Sequence, residues 1–317
     1  MVVFEKFIRI DGGGSVSGAE IKEVGLSGWR QYESEVMSIL TAIAGNPVGK
    51  ILLHWVRAVK GARDIAIYRY FRQNPHNKND VNAASAASDP QAAVPRGQNV
   101  RDIHGDPVLV PVRDRQGNFI QDPVTGAVPL APLMGTGGGT GAVIGFTPRM
   151  FTHQEVAGAA PDEALAHELV HTYRQLSGHI TDTRTGLDYS VWVMVNGHPV
   201  QMWLGNYPNL EEFFAVLVAN IYISARHRGE KLRTRYYCTI EDGKLRWRQA
   251  ADSAARGPNG RNASEEFLLE YYGRITQLYN EETGFAHALA QVDATFNPFR
   301  DYEARLVPAS RVTAPRR

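Results

Sequence analysis

Two histidines separated by one helical turn are the strongest chemical signal in the sequence. They belong to the run His167-Glu168-Leu169-Val170-His171, which lies inside a segment of helical character. Because residues four apart share one face of a helix, the two imidazoles can bind a single tetrahedral zinc ion. The glutamate is turned slightly around the helix, where it can take the proton of an attacking water and return it to a departing amine. The run therefore predicts a catalytic zinc site.

A catalytic zinc site usually takes a third protein ligand and keeps one position open. Two adjacent acids, Glu211 and Glu212, begin an apolar helix further along the chain. We predict Glu212 as the ligand because Ala215, three residues later on the same face, allows two helices to approach closely. Glu211 has Phe214 at that spacing, which would hold the backbones apart. In the alternative interpretation, Asn209 and Glu212 form a helix capping box.

Tyr207 is a second candidate catalytic residue, just before the helix of the two acids. Its hydroxyl could stabilise the negative charge that develops on the attacked carbonyl oxygen. Only its position supports this role, and an ordinary loop tyrosine is the alternative. The other histidines lack metal-ligand spacing to the first pair, and we predict that they are structural or solvated.

Composition excludes several classes of protein. Apolar residues make up 43% and charged residues 21% of the chain, as in ordinary globular proteins. The net charge of +1 provides no general attraction for nucleic acid. The single cysteine, Cys238, rules out an intrachain disulfide and a cysteine-rich zinc finger. We predict no cleavable signal peptide, because residues 1–10 carry charges among their apolar residues, and no membrane span, because no uninterrupted apolar run is long enough.

Periodicity and turn chemistry divide the chain into elements. We predict an N-terminal extension over 1–26, a catalytic domain over 27–300 with a loop insertion at about 72–134, and a C-terminal tail over 301–317. Helices are expected at 27–44, 46–59, 161–176, 210–224, 265–279 and 281–292, and strands at 65–70, 142–147, 189–195 and 199–204.

A glycine-rich run, 135–141, precedes the predicted strand 142–147. Bare amides in such a run can bind phosphate, but the Gly-Lys-Ser/Thr ending of a phosphate loop is missing. We therefore interpret the run as a flexible entry to a strand beside the active site. We predict that the strand 142–147 forms one edge of the cleft, where a substrate segment could add as a further strand.

The metal-binding segments resemble the zincin superfamily, specifically its members with a glutamate as third ligand. Glu212-Phe213-Phe214-Ala215, with Tyr207 upstream, is similar to the zinc-ligand segment of the anthrax lethal factor catalytic domain, although the spacing of the tyrosine departs from it. The wider pattern resembles bacterial effector metallopeptidases, which include domains delivered by type III systems and domains attached to type VI secretion spikes.

This resemblance implies an α+β, zincin-like fold with a small mixed sheet packed on helices, among them the histidine helix and the third-ligand helix. It implies that His167, His171 and Glu212 hold one catalytic Zn²⁺ and that Glu168 is the base. The expected substrate is a protein or peptide. We expect the protein to be made in the bacterial cytoplasm and then secreted or delivered into a target cell. A secretion carrier or an immunity protein is the expected further partner.

Two other functions stay open at this point. A zinc amidase or deacylase would use the same residues on a cell-wall or small-molecule amide. A non-catalytic binding or delivery module would use zinc only to hold the fold together, without a role for the Glu168 carboxylate.

Overall fold

The structure of the 317-residue chain is a computed structural model. It describes residues 1–15, 25–69, 83–101, 106–148, 151, 160–181, 188–195, 198–205, 207, 209–226, 231–233, 239–241, 244–246, 250–252, 256 and 260–312. The helices are α1 Gly25–Gly45, α2 Pro47–Lys60, α3 Pro90–Ala93, α4 Pro161–Ser177, α5 Leu210–Ser224, α6 Ala263–Glu270, α7 Tyr272–Glu281, α8 Thr283–Ala290 and α9 Pro298–Val312. The strands are β1 Val2–Phe4, β2 Ile8–Ser15, β3 Ile65–Arg69, β4 Ala83–Ala87, β5 Leu109–Pro111, β6 Leu130–Pro132, β7 Ala142–Phe146, β8 Asp188–Val195, β9 His198–Gly205, β10 Lys231–Arg233, β11 Thr239–Glu241, β12 Lys244–Arg246 and β13 Ala250–Asp252.

A five-stranded mixed sheet forms one layer of the fold, in the spatial order β1-β2-β3-β7-β4. The strands β2, β3 and β7 are parallel, whereas β1 and β4 are antiparallel to their neighbours at the two edges. The central strands bury Ile65, Ile67, Ile144 and Phe146 completely, as expected for strands that are covered on both faces. The predicted α+β class, with a small mixed sheet packed on helices, is confirmed.

Helix α4 lies at the centre of the molecule. It packs against α1, α2, α3 and α5 and against the strands β4 and β7. Every residue from Glu163 to Leu176 is buried. Each ionisable side chain in this stretch is therefore removed from water, and it needs a partner of opposite charge or a shifted pKa.

Helices α1 and α2 meet at Asn46, as the sequence predicts. The Asn46 side chain accepts hydrogen bonds from the amides of Val48 and Gly49, and Pro47 occupies the first turn. Within the described residues, no single helix is long and apolar enough to cross a membrane. The segments Gly28–Gly45 and Pro47–Lys60 meet that test only as a pair, and they are bent by 107° relative to each other.

The N-terminal residues belong to the sheet, and this differs from the predicted extension over 1–26. Ile8 and Ile10 of β2 are completely buried. Three glycines, 12–14, follow shortly after these isoleucines, and the packing of α1 against β2 explains why at least one residue here is small. A Cβ atom on Gly12 would lie 2.4 Å from the carbonyl oxygen of Trp29, so α1 can approach β2 closely only at a glycine.

The C-terminal helices also differ from the prediction. The helix expected at 265–279 is divided at Tyr271 into α6 and α7. Asn262 caps α6 and forms a capping box with Glu265, and the neighbouring Ser264 hydroxyl donates a hydrogen bond to Asp301. The predicted tail, 301–317, begins inside α9. That helix starts at Pro298 and buries Phe299 and Tyr302 in the core, and its last described residue is 312.

The predicted loop insertion contributes a strand to the sheet. Its alanine-rich part forms β4, which pairs with β7. The prediction that β7 is the edge of the cleft is therefore wrong, because β4 covers it. Small side chains allow β4 to lie close to α4, where the Ser85 hydroxyl donates to the Gln175 amide oxygen at 3.0 Å. The Thr172 hydroxyl lies 3.2 Å from the same serine oxygen.

The glycine-rich run joins the segment after β4 to the end of α4. Its amides are used by backbone carbonyls: Gly137 donates to Val94, Gly139 to Ala92, and Thr140 to Gln175. These three amides are thus engaged within the protein. The hydrogen bonds of the run join the segment after β4 to the end of α4. At Gly139, where the run comes closest to α4, the structure leaves no room for a side chain.

We predict that Gly139→Ala destabilises the protein by about 2 kcal/mol or more. The residue has φ +69°, and an added Cβ would lie 2.0 Å from the carbonyl oxygen of Leu176. The matched control is Gly126→Ala, at φ +70° with nothing within 4 Å, which carries only the backbone cost of about 1 kcal/mol. Urea denaturation measures both, and equal losses in the two variants would contradict the steric explanation.

Candidate metal centre

Helix α4 presents both predicted histidine ligands on one buried face. Pro161 begins the helix, and Asp162 and Glu163 lie in its first turn, where acids complement the helix dipole. The imidazoles of His167 and His171 have their ring centroids 4.8 Å apart. Both residues are nearly removed from water, since only 7% of His167 and 8% of His171 are exposed.

Glu212 reaches the same point from α5. Its Oε2 atom lies 3.2 Å from the Nε2 of His167 and 3.5 Å from the Nε2 of His171, and the two nitrogens are 3.1 Å apart. Ligand atoms at about 2.1 Å from one tetrahedral ion are about 3.4 Å from each other. The three side chains therefore have the separation that a single zinc-sized cation requires.

The electrostatics of this group favour a cation. No donor in the described residues has hydrogen-bond geometry to Glu212 Oε2, although this atom is buried. Burial opposes the charge of Glu212, but the positive charge of His171 and the contacts with both histidines hold its pKa far below the usual value. Burial likewise opposes the charge of His171, whereas Glu212 and Glu211 raise its pKa well above 6.5. Burial lowers the pKa of His167 to about 4. The residues present thus fit a metal ion.

The predicted role of Asn209 as a helix cap is compatible with this arrangement. Its side-chain oxygen accepts a hydrogen bond from the amide of Glu212 at 2.7 Å. The Glu212 carboxylate itself lies against the imidazoles. The two interpretations of Glu212 thus concern different atoms of one residue, and the cap fixes the start of the helix that carries the carboxylate.

Glu168 lies beside this group without belonging to it. Only 7% of the residue is exposed, and burial raises its pKa to about 7 although the neighbouring His171 opposes the rise. A backbone hydrogen bond from Ser85 also reaches the carboxylate. A carboxyl group whose pKa is close to neutrality can both accept and return a proton, which is the property a general base needs at this position.

A cavity of about 400 Å³ opens between the metal group and the edge strand of the sheet. All five residues of β4 line it on one side. His167, Glu168, His171 and Glu212 line it on the other. Beyond the metal group, its wall is formed by side chains that include Ala93, Val94, Val100 and Ile180. The cavity is large enough for a short extended segment of peptide next to the histidines.

The structure places Tyr207 away from this cavity wall. Its ring is completely buried and packs edge-on against Phe213 at 5.0 Å and Tyr271 at 5.8 Å. The catalytic role of Tyr207 stays a prediction, and this aromatic cluster gives it no support. The predicted roles of His167, Glu168, His171 and Glu212 are likewise predictions, which the structure supplements with a common location.

Sequence reasoning missed Glu211 and Arg174. It considered Glu211 only as the less favoured third ligand, because Phe214 at its helical spacing was expected to separate the helices. In the structure Phe214 packs against Phe285 at a ring distance of 6.0 Å and lies below the guanidinium of Arg174, and Glu211 Oε1 still comes within 3.1 Å of the Nδ1 of His171. The sequence signal that could have revealed this pairing is Arg174 itself, which lies one helical turn after His171 and needs an acidic partner if the helix is buried.

Comparison with known proteins identifies a family. The model of the Peptidase M91 family, described as effector protein, matches residues 22–191, more than half of the chain. The matched stretch contains His167, Glu168 and His171, and it ends before Glu212. No curated protein and no solved structure shows a significant match. With a family match of this extent, which supports the peptidase and effector character expected from the sequence, the chain belongs to the Peptidase M91 family of effector proteins.

Proposed function

We propose that this protein is a zinc endopeptidase with a zincin-like catalytic unit. The observation that carries the proposal is the convergence of two imidazole nitrogens and one carboxylate oxygen within 4.8 Å of one another. A second carboxylate, Glu168, lies next to them in the same cavity. Two histidines and a glutamate form one of the known ligand sets of catalytic zinc, which leaves a position open for water or substrate.

His167, His171 and Glu212 would hold the ion. Zinc supplies a Lewis acid that polarises a peptide carbonyl and lowers the pKa of water. Glu168 accepts the proton from the attacking water and delivers it to the amide nitrogen that leaves. The burial of His167, Glu168 and His171 strengthens these electrostatic interactions, because charges interact more strongly away from water.

An extended substrate segment would dock on β4, which replaces β7 as the proposed edge. The amide of Ser88 donates to the carbonyl of Gly141, so that in this antiparallel pair the amides of Ala86 and Ala84 also face β7. The backbone groups of Ala87 and Ser85 then face away from the sheet, where the Ser85 amide reaches the Glu168 carboxylate and the Ala87 groups stay open to a peptide. Both residues line the cavity, where a peptide can pair with the amide and carbonyl of Ala87 as an additional strand.

The biological setting is proposed from the resemblance and the family. The protein is made in the bacterial cytoplasm and delivered into a target cell, where it cleaves a protein. A secretion carrier or an immunity protein is the expected further partner. The description of the family as effector protein supports this setting.

Glu168→Gln is predicted to reduce peptide cleavage by about 10³-fold, because the amide cannot accept the proton of water. Zinc binding should persist, since the metal ligands are unchanged. The measurement is mass spectrometry of new N-termini released from unfolded proteins, with peptidoglycan fragments as the alternative substrate. Glu163→Gln, a second buried acid of α4, is the matched control and should retain activity. Normal cleavage by the Glu168 variant would exclude this base.

Ala87→Pro is predicted to raise the KM for extended peptides by about tenfold, because it removes one outward amide and leaves the pairing of β4 with β7 intact. Ala87→Ser keeps the amide and is the matched control. Peptide cleavage kinetics and circular dichroism of both variants provide the test. Unchanged KM in a folded proline variant would argue against docking of the substrate at this edge.

The affinity for zinc is predicted to increase with pH through the neutral range. The pKa of His171 is raised, so a proton occupies this residue at neutral pH and the ion must displace it. Isothermal titration of the metal-free protein in buffers of different ionisation enthalpy counts the protons released. An affinity that does not vary between pH 6 and pH 8 would be inconsistent with the proposed ligand set.

A further inference from the structure

Arg174 is a fully buried cation next to the metal group. It lies on α4 one turn after His171, with none of its side chain exposed. Its Nε donates to Glu211 Oε2 at 3.0 Å, and its Nη1 donates to Glu282 Oε1 at 2.7 Å. The guanidinium also lies over the ring of Phe214, 5.4 Å from the centroid. These contacts hold its plane in one orientation.

Glu211 connects this arginine to the metal group. One carboxylate oxygen accepts from Arg174, and the other lies 3.1 Å from His171 Nδ1. A carboxylate in this position favours the tautomer with a proton on Nδ1, which leaves the lone pair of Nε2 directed at the metal position. The orientation of the His171 ring thus depends on a carboxylate that Arg174 holds.

Glu282 fixes the other end of the network. It precedes α8 and is 4% exposed. Besides Arg174, it accepts from the Tyr173 hydroxyl at 2.5 Å, and the ring nitrogen Nδ1 of His179 lies 2.8 Å from it. All of these partners belong to α4 or to the residues just after it. Glu282 therefore anchors the end of the histidine helix to a helix that lies outside the family match.

We propose that Arg174 and Glu282 are positioning residues for the metal site, acting on His171 through Glu211. This inference rests on the proposed metal site. A buried ion pair stabilises a fold no better than apolar packing of the same volume, so stability alone does not account for a buried arginine between two acids. A positioning role does account for the buried arginine. Its planar guanidinium donates to two carboxylates at once and thereby sets the angle at which Glu211 meets the His171 imidazole.

Arg174→Lys provides the test, since lysine keeps the positive charge but lacks the planar guanidinium that donates to both carboxylates. We expect the affinity of the metal-free protein for zinc, measured by competition with a chromophoric chelator, to fall about 10- to 100-fold. The visible absorption spectrum of the cobalt-substituted protein should change as well, because it reports ligand geometry. Glu282→Gln keeps the shape of the anchor without its charge, and a smaller fall in zinc affinity is expected.

Arg226→Lys is the matched control. Arg226 pairs with Asp162 at 2.8 Å and thereby joins the first turn of α4 to the end of α5, without contact to the metal group. Its variant should keep the zinc affinity and the cobalt spectrum of the wild type.

Four results would overturn the inference while the wild type still binds zinc. They are unchanged affinity in the folded Arg174 variant, unchanged affinity in the folded Glu282 variant, an equal fall in the Arg226 variant, and failure of both network variants to fold in excess zinc. Absence of zinc binding by the wild type would refute the proposed function itself.

Discussion

The burial of α4 is the constraint on which the site depends. The helix is surrounded by other helices and by the sheet, yet its inner turns carry His167, Glu168, His171 and Arg174. Charges at low dielectric are costly unless they are paired or shifted to the neutral form. Each of these side chains shows one of the two responses. The pKa of His167 falls and that of Glu168 rises. His171 and Arg174 instead each lie against two carboxylates.

Helix α5 supplies the compensating charge with two adjacent acids that have different tasks. Glu212 faces both Nε2 atoms, while Glu211 contacts the opposite nitrogen of His171 and pairs with Arg174. This division is possible because consecutive residues at a helix start point in different directions, one on each side of the ring. The cap at Asn209 fixes the register of that start. The metal group and its supporting network are thus parts of one buried electrostatic system.

The sheet forms one wall of the cavity next to the metal group. A segment that resembles a low-complexity loop forms β4, and its alanines are small enough to lie beside α4. Its outer edge faces the cavity in which the histidines lie. The glycine run that follows binds the segment 90–98 to the end of α4 through backbone hydrogen bonds. The position of β4 relative to the metal group therefore depends on close contacts that only glycine and other small residues allow.

The sequence by itself determined the local features of this protein: the helix of His167 and His171, the cap at Asn209, the candidate Glu212 and the mixed α and β composition. These features depend on residue spacing and on backbone chemistry within a few residues. Only the tertiary structure decided that β4 covers β7, that β1 and β2 join the sheet, and that Glu211, Arg174 and Glu282 form one network. Such relations link positions far apart in the chain, and their energies arise from packing and charge burial. Neither is visible in periodicity along the sequence.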